Sequence, residues 1–371
     1  MFEKKNETMK GKNAQPLSVS SKDKFVITGG SPGARISGRA NRDLPEYLKP
    51  TTKFYNICTN YRDFEIVRDA LGDDIKNIKN IFIKDNGFAG DRKNAENQKY
   101  ALTPKIMEVL APDIEAHDPD LFLVIYASGG GTAPIVEQTV REIRSLGSET
   151  GGVPISEKMM EIVITPDGTA TFQEDNSRKW LEDFLNDKWR HAYLFSNKQN
   201  VTTLSQLNTR LLRPVTAIMY QFISAMEAVN FTHQFNSRVS LGTLGFAALE
   251  SEATPKELLT DKAQQIARDA FMHPLAGIDP KTYRPLLRVK KNIFALATAR
   301  DDASTEDVKR GIDAEITNFA NSQGLSDNIT KLSAVQLIKG WPEISVTLAH
   351  DVMEEDVTSF FDVNEGTREA P

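Results

Sequence analysis

Leu121-Phe-Leu-Val-Ile-Tyr-Ala-Ser-Gly129-Gly130-Gly131-Thr132 is an unbroken apolar run that ends in three glycines and a hydroxyl residue, with a helix pattern behind it. The run reads as a buried strand. Glycines let backbone N–H groups approach an anion closely. The helix expected over Ala133 to Leu146, basic at its far end through Arg141 and Arg144, adds the positive end of its dipole. This order predicts a phosphate cradle at Gly129, Gly130, Gly131 and Thr132. A plain tight connection is the other reading of the same glycines, and the rest of the chain must decide.

Three further strand ends carry small or polar loops. Phe25-Val-Ile-Thr runs into Gly29-Gly30-Ser31-Pro32-Gly33-Ala34-Arg35-Ile36. Phe54-Tyr-Asn-Ile-Cys58 ends in Thr59-Asn60, and Ile81-Phe-Ile-Lys84 opens into Asp85-Asn-Gly-Phe-Ala89-Gly90-Asp91-Arg92. In a parallel sheet, ligands bind beyond the carboxyl ends of the strands, so the four loops would line one nucleotide pocket. Neither the dinucleotide pattern G-x-G-x-x-G nor the P-loop pattern is present. A Rossmann-like enzyme using a nucleotide cofactor is therefore the weakest reading.

The order of these motifs, from about Lys24 to about Val357, resembles the tubulin/FtsZ superfamily of GTP-binding, filament-forming proteins. Gly129-Gly-Gly-Thr132 resembles the first half of that family's glycine signature, and Ala133-Pro134-Ile135 replaces the second half. Gly29, Gly30, Ser31 and Gly33 resemble the family's opening loop, with Arg35 where an Asn is expected. Thr59-Asn60 stands at the second loop, and Ala89, Gly90 and Asp91 at the loop that closes on the γ-phosphate. Glu161 to Thr165 and His191 to Asn197 resemble further strands. The polar run Phe172 to Asn176, including Glu174, lies at the ribose loop. The stretch Leu204 to Val229 resembles the long central helix, with Pro214 expected to kink or restart it and Asn208 as the residue that reads the guanine edge.

The resemblance implies an α/β fold: an N-terminal Rossmann-like GTPase domain with a parallel sheet, a long central helix and a smaller α+β C-terminal domain. The expected boundaries are a flexible arm at 1–23, the GTP-binding domain at 24–203, the central helix at 204–229, an assembly domain at 230–350 and an acidic tail at 351–371. Ser240 to Gly245, Asn292 to Arg300, Leu332 to Lys339 and Glu343 to His350 read as strands of the second domain. Asp261 to Met272 and Thr305 to Ser322 read as its helices.

Further implications are GTP or GDP as ligand with Mg²⁺, and head-to-tail self-assembly. Hydrolysis in this family is split between subunits, with two acids on the loop after the central helix orienting water on the neighbour's nucleotide. A gap-free count puts those positions at Asn230 and His233, in an expected loop Asn230 to Asn236. Both acids are then replaced, and slow hydrolysis or a filament without hydrolysis both stay open. Asp91 either faces away from the phosphate or holds Mg²⁺ through water. The length and altered motifs resemble the phage and plasmid tubulins, the PhuZ and TubZ groups, which implies positioning of phage or plasmid cargo.

Among the 371 residues, 40% are hydrophobic and 26% charged, ample for two domains. The net charge of −6 argues against direct nucleic-acid binding, leaving only contact through an adaptor. A single cysteine, Cys58, excludes an internal disulfide, and no apolar run reaches membrane-spanning length, so a cytoplasmic protein is expected; the resemblance to phage and plasmid tubulins implies a bacterial or phage-infected host cytoplasm. The C-terminal acids surround Phe360-Phe361, and a solvated tail or an adaptor or lateral contact segment are the two expectations.

Overall fold

Strands with apolar side chains on both faces need helices on both sides, and the chain supplies them by alternation. In order run β1 (Lys24–Gly29), α1 (Gly30–Asp43), β2 (Thr52–Cys58), α2 (Tyr61–Leu71), β3 (Ile78–Phe82) and α3 (Arg92–His117). There follow β4 (Leu121–Ala127), α4 (Ala133–Leu146), β5 (Met159–Thr165), α5 (Thr171–Leu185) and β6 (Ala192–Ser196). The second half holds α6 (Leu204–Ser224), α7 (Glu227–Asn236), β7 (Leu241–Glu250), α8 (Leu259–Met272), β8 (Val289–Arg300), α9 (Thr305–Ser322), β9 (Thr330–Ile338), β10 (Glu343–Val352) and α10 (Glu354–Asp362). This computed structural model describes residues 23–362 apart from 45, 47, 72–77, 147–153, 167–170, 188–189, 197–203, 226, 251–257, 273–275, 277–285, 326–328 and 339–342. Residues 1–22 of the expected arm and 363–371 of the expected tail lie outside the described residues, as does Asn197, the nucleotide-binding candidate at the end of the sixth strand.

One sheet of ten strands runs through the molecule in the order β3-β2-β1-β4-β5-β6-β7-β10-β8-β9. From β3 to β7 every pairing is parallel. β10 is antiparallel to both β7 and β8, and β8 is parallel to β9. The first six strands have the 3-2-1-4-5-6 order of a doubly wound nucleotide fold, and the last four form the mixed sheet of the smaller domain.

Side chains alternate across the sheet with the period of two that strands impose. Phe122, Val124 and Tyr126 of β4 join the core under α3, α4, α5 and α10, while Leu121, Leu123 and Ile125 join the core under α1, α6 and α7. Each fully buried Val, Leu, Ile or Phe stabilises the fold by about 1.5–3 kcal/mol. A third core, with Ala263, Phe271, Ile312 and Ile316, lies under α8 and α9. Gln221 ties α6 to the strands of the smaller domain. Its Nε2 donates to the carbonyls of Leu296 (2.8 Å) and Ser345 (3.2 Å), and its Oε1 accepts from the Thr347 hydroxyl.

Four expectations are corrected. α6 continues through Pro214 rather than restarting there, and the helical path breaks after Ser224. Residues 230–236 are helix α7, not a loop, with Phe231 and Phe235 buried on its inner face. The polar run at Phe172 to Asn176 is the first part of α5. The expected tail is β-strand to Val352 and then α10, whose Val357, Phe360 and Phe361 are buried against the core beneath α5. The phenylalanine pair is thus spent on packing and is no exposed anchor.

Candidate functional site

The strand order turns at β1 and β4, whose connections leave in opposite directions, and a crevice opens beyond their carboxyl ends. Both glycine loops stand there. β1 ends at Gly29 and α1 begins at Gly30 without intervening loop, while β4 leads through Gly129-Gly130-Gly131-Thr132 into α4. Neither helix has an acid in its first turn, so two helix N-termini present their positive ends to the same space. Between them lies a cavity of about 270 Å³, lined by Gly29 to Pro32, Thr59, Asn60, Asp63, Phe88 to Gly90, Ala127, Gly129 to Thr132, Phe172 and Gln173.

Gly30, at φ 70°, adopts a left-handed conformation that keeps the α1 amides close to the cavity. Ala89 (φ 49°) and Gly90 (φ 82°) make a second left-handed corner on the cavity wall. A Cβ on Gly90 would collide with the Phe172 ring. Ala89 has no such freedom and holds a strained backbone, which is common beside ligands.

Side chains couple the loops. Thr59 and Thr132 hydroxyls are 2.9 Å apart and join the ends of β2 and β4. Asn60 Oδ1 accepts from the Asp63 amide at 2.9 Å, capping the start of α2. Asn176 of α5 donates from Nδ2 to the carbonyls of Gly90 (2.8 Å) and Gly129 (3.0 Å), stapling two glycine loops together. Arg92, 4% exposed at the start of α3, binds Glu96, Glu137 and Asp183 and anchors the loop before it.

Asp63 is 1% exposed, and its Oδ1 accepts from the Ser31 hydroxyl at 2.6 Å. Burial pushes its carboxyl above the ordinary range, opposed first by the Ser31 hydrogen bond. The neighbouring Cys58 thiol is buried and pushed up to about 12 by burial, with the Asp63 charge adding to the shift, so it is an inert core group.

Of the residues expected at the site, Gly29, Gly30, Ser31, Thr59, Asn60, Ala89, Gly90, Gly129, Gly130, Gly131 and Thr132 line the cavity. Others do not. A Cβ on Gly33 would lie 2.9 Å from Thr28 Cβ and 3.0 Å from the Ile125 carbonyl, so this glycine lets α1 pack on β1 and β4, and Arg35 lies one turn into that helix. Asp91 is exposed and accepts from the Asn94 amide at 2.9 Å, capping α3 rather than facing the cavity. Glu174 is buried in the first turn of α5, where Phe172 and Gln173 take the lining positions. Asn208 lies in the second turn of α6, the helix that follows β6 in the chain. Asp63 is missed by motif reading, because an acid in a first helical turn is a common surface feature, and Asn176 is read only as the end of the polar run at the ribose loop.

Asn230 and His233 are on α7. Asn230 Nδ2 donates to Glu227 Oε2 at 3.3 Å, and His233 Nδ1 lies 2.6 Å from Glu157 Oε2. Asn236 Nδ2 donates to the Met159 carbonyl at 2.7 Å. The connection between α6 and α7 is only 225–226, and the first acid beyond it is Glu227.

The fold is shared with solved CetZ and FtsZ structures. A GDP-bound monomer of CetZ1 from Haloferax volcanii superposes with a TM-score of 0.67 at 12% identity, over 93% of this chain and 100% of that one. A GTPγS-bound protofilament of CetZ2 from Haloferax volcanii gives 0.67 at 12% identity over 92% and 98%. An empty FtsZ dimer from M. jannaschii gives 0.61 at 14% identity over 90% of each. No family model matches the sequence, and no curated protein matches it. Among the described residues, no helix is long and apolar enough to cross a membrane.

Proposed function

We propose that this chain binds guanine nucleotides in the cavity between β1 and β4 and polymerises head-to-tail as a tubulin/FtsZ-like cytoskeletal protein. The observation that carries the reading is the convergence of two helix N-termini and three glycine-bearing loops on one cavity at the switch point of the sheet. The likeness to chains solved with GDP and with GTPγS, over both domains, supports this ligand class above a nucleotide-cofactor enzyme. The protofilament and dimer states of those chains support self-association. Guanine selectivity is assigned to Asn208, and Mg²⁺ accompanies the phosphates.

The hydrolysis assignment moves with the helix boundary. The resemblance places water-orienting acids directly after the central helix, and Glu227, opening α7 with Asn230 hydrogen-bonded to it, occupies that place. Glu227 is proposed as the group that activates water on a neighbouring subunit's nucleotide. His233, beside Glu157 of its own subunit, has a local role. Positioning of phage or plasmid cargo rests on the chain length and altered glycine signature alone. An adaptor or lateral contact would use the exposed Glu354 and Glu355 of α10.

Calorimetry with GTP, GDP and ATP, together with sedimentation and negative-stain microscopy with GTP, GDP and no nucleotide, tests the reading. Guanine-selective binding and GTP-dependent filaments are expected. Equal binding of ATP, or only monomers and closed dimers at high concentration with GTP, refutes it. Replacing Glu227 by Gln should leave GTP binding intact and slow phosphate release by about 10²–10⁴-fold. An unchanged rate removes Glu227 from the mechanism.

A further inference from the structure

One guanidinium stands behind three walls of the cavity. Arg92 is the first residue of α3, two positions after the left-handed Gly90, and is buried behind the lining rather than part of it. Its Nη1 and Nη2 donate to Glu137 Oε1 and Oε2 of α4 at 3.1 and 3.3 Å, a fork meeting a fork. Nη2 also donates to Asp183 Oδ2 of α5 at 3.1 Å, and Nε to Glu96 Oε1 of α3 itself at 2.8 Å. The helices so joined are those whose N-terminal ends build the cavity: α3 follows Ala89-Gly90, α4 follows Gly129 to Thr132, and α5 begins with Phe172 and Gln173 on the lining.

These walls touch one another. A Cβ on Gly131 would lie 3.3 Å from the Gly90 amide nitrogen, and the Phe172 ring rests on Gly90. A slip of α3 against α4 therefore moves cavity backbone directly. Stability alone does not call for an ion pair here. Taking two charges out of water costs about what their attraction returns, and apolar residues of similar volume often replace such pairs with no loss of stability. Apolar packing is at hand, since Leu102 and Ile106 of α3 and Ile135 and Val140 of α4 belong to one core. What the pair adds is direction. A planar fork seated on a carboxylate fixes both distance and angle between two helices, and backbone donors aimed at an anion need that precision.

We propose that Arg92 and Glu137 are positioning residues for the bound nucleotide: their buried pair sets the Ala89-Gly90 corner against the Gly129 to Thr132 loop and thereby sets nucleotide affinity. The inference rests on the nucleotide reading of the cavity. Asp183 extends the same hold to α5, whose Asn176 already joins the Gly90 and Gly129 carbonyls.

The test uses the full chain. Arg92→Met combined with Glu137→Met exchanges the pair for apolar groups. It leaves Asp183 its contact with Lys179 (3.1 Å) and Arg190 its contact with Glu161 (2.8 Å). Urea unfolding reads stability, calorimetry with GDP reads affinity, and amide exchange followed by mass spectrometry reads residues 88–91 against β4 and β5. The unfolding midpoint should stay near that of wild type, exchange at 88–91 should quicken while β4 and β5 stay protected, and GDP should bind more weakly. Groups that hold contacting residues in place are worth about 10–100-fold at metal centres, and a loss on that scale is expected here. Wild-type GDP affinity in the folded double variant overturns the proposal and leaves the nucleotide reading standing. Exchange that rises as much in β4 and β5 as at 88–91 marks a general loosening and overturns it as well. Should the double variant not fold, Glu137→Gln, in which Arg92 keeps Asp183 and Glu96, is measured in its place; it should weaken GDP, and an unchanged affinity refutes the proposal. No GDP binding by wild type removes the nucleotide reading and this inference together.

Discussion

Gly130 separates binding from folding. A Cβ built there has its nearest neighbours at 3.5 Å (Ala127 carbonyl) and 4.0 Å (Thr132 amide), ordinary contact distances, and its φ is not left-handed. The flanking glycines are different, since a Cβ on Gly129 would lie 2.8 Å from the Gln173 carbonyl and one on Gly131 2.7 Å from Phe88 Cβ. Gly130→Val should therefore change folding stability by no more than about 1 kcal/mol, with the loss of unfolded-state freedom offsetting part of any strain. Gly131→Ala, which forces the Phe88 loop to move, should cost about 1–3 kcal/mol. The valine occupies space that a phosphate needs beside the loop amides. Losing one charge-assisted amide contact costs about 1.5–3 kcal/mol. At 1.4 kcal/mol per decade this is about 10–150-fold in GDP affinity. Urea unfolding and GDP calorimetry on the two variants decide the matter. If Gly130→Val folds like wild type and binds GDP equally well, the phosphates do not sit at this loop and the reasoning fails.

Asn176→Ala leaves the Gly90 and Gly129 carbonyls without their shared donor, so unfolding free energy should drop by about 1–3 kcal/mol, read by urea titration, and GDP affinity should fall with it. Ala89→Gly should raise stability by about 1 kcal/mol, because the left-handed φ of 49° no longer strains a Cβ; a lower melting temperature contradicts this. His350 is buried and its pKa is lowered by burial, so below its unfolded pKa of about 6.5 the unfolded state takes up protons that the native state refuses. Its contribution is full above that pH and is lost as pH falls through it. His191, with the same direction of shift, adds to the loss. His350→Gln should flatten the slope of unfolding free energy against pH between about 7 and 5, and an unchanged slope assigns acid sensitivity elsewhere.

Local pattern determined a large part of this protein. The apolar run at β4, the glycines after it and the helices Ala133–Leu146 and Thr305–Ser322 follow from periodicity and turn chemistry that act within a few residues. The two-domain α/β class was implied by the resemblance that the order of these motifs carries, and the strand order agrees with it. Counting along the chain could not find the end of α6, since nothing in Ser224 to Glu227 breaks a helix as strongly as the Pro214 that the helix tolerates. It read 230–236 as loop, where buried Phe231 and Phe235 hold a helix against Phe222 and Phe294. Likewise Phe360 and Phe361 are acidic-tail residues by sequence and core residues by packing. Which side chains meet across the cavity was decided by strand order. Ser31, Asp63, Thr132 and Asn176 are far apart in sequence, and only the 3-2-1-4 arrangement brings the ends of β1, β2 and β4 together beneath α5. Secondary structure answers to neighbours in the chain, whereas a site answers to neighbours in space.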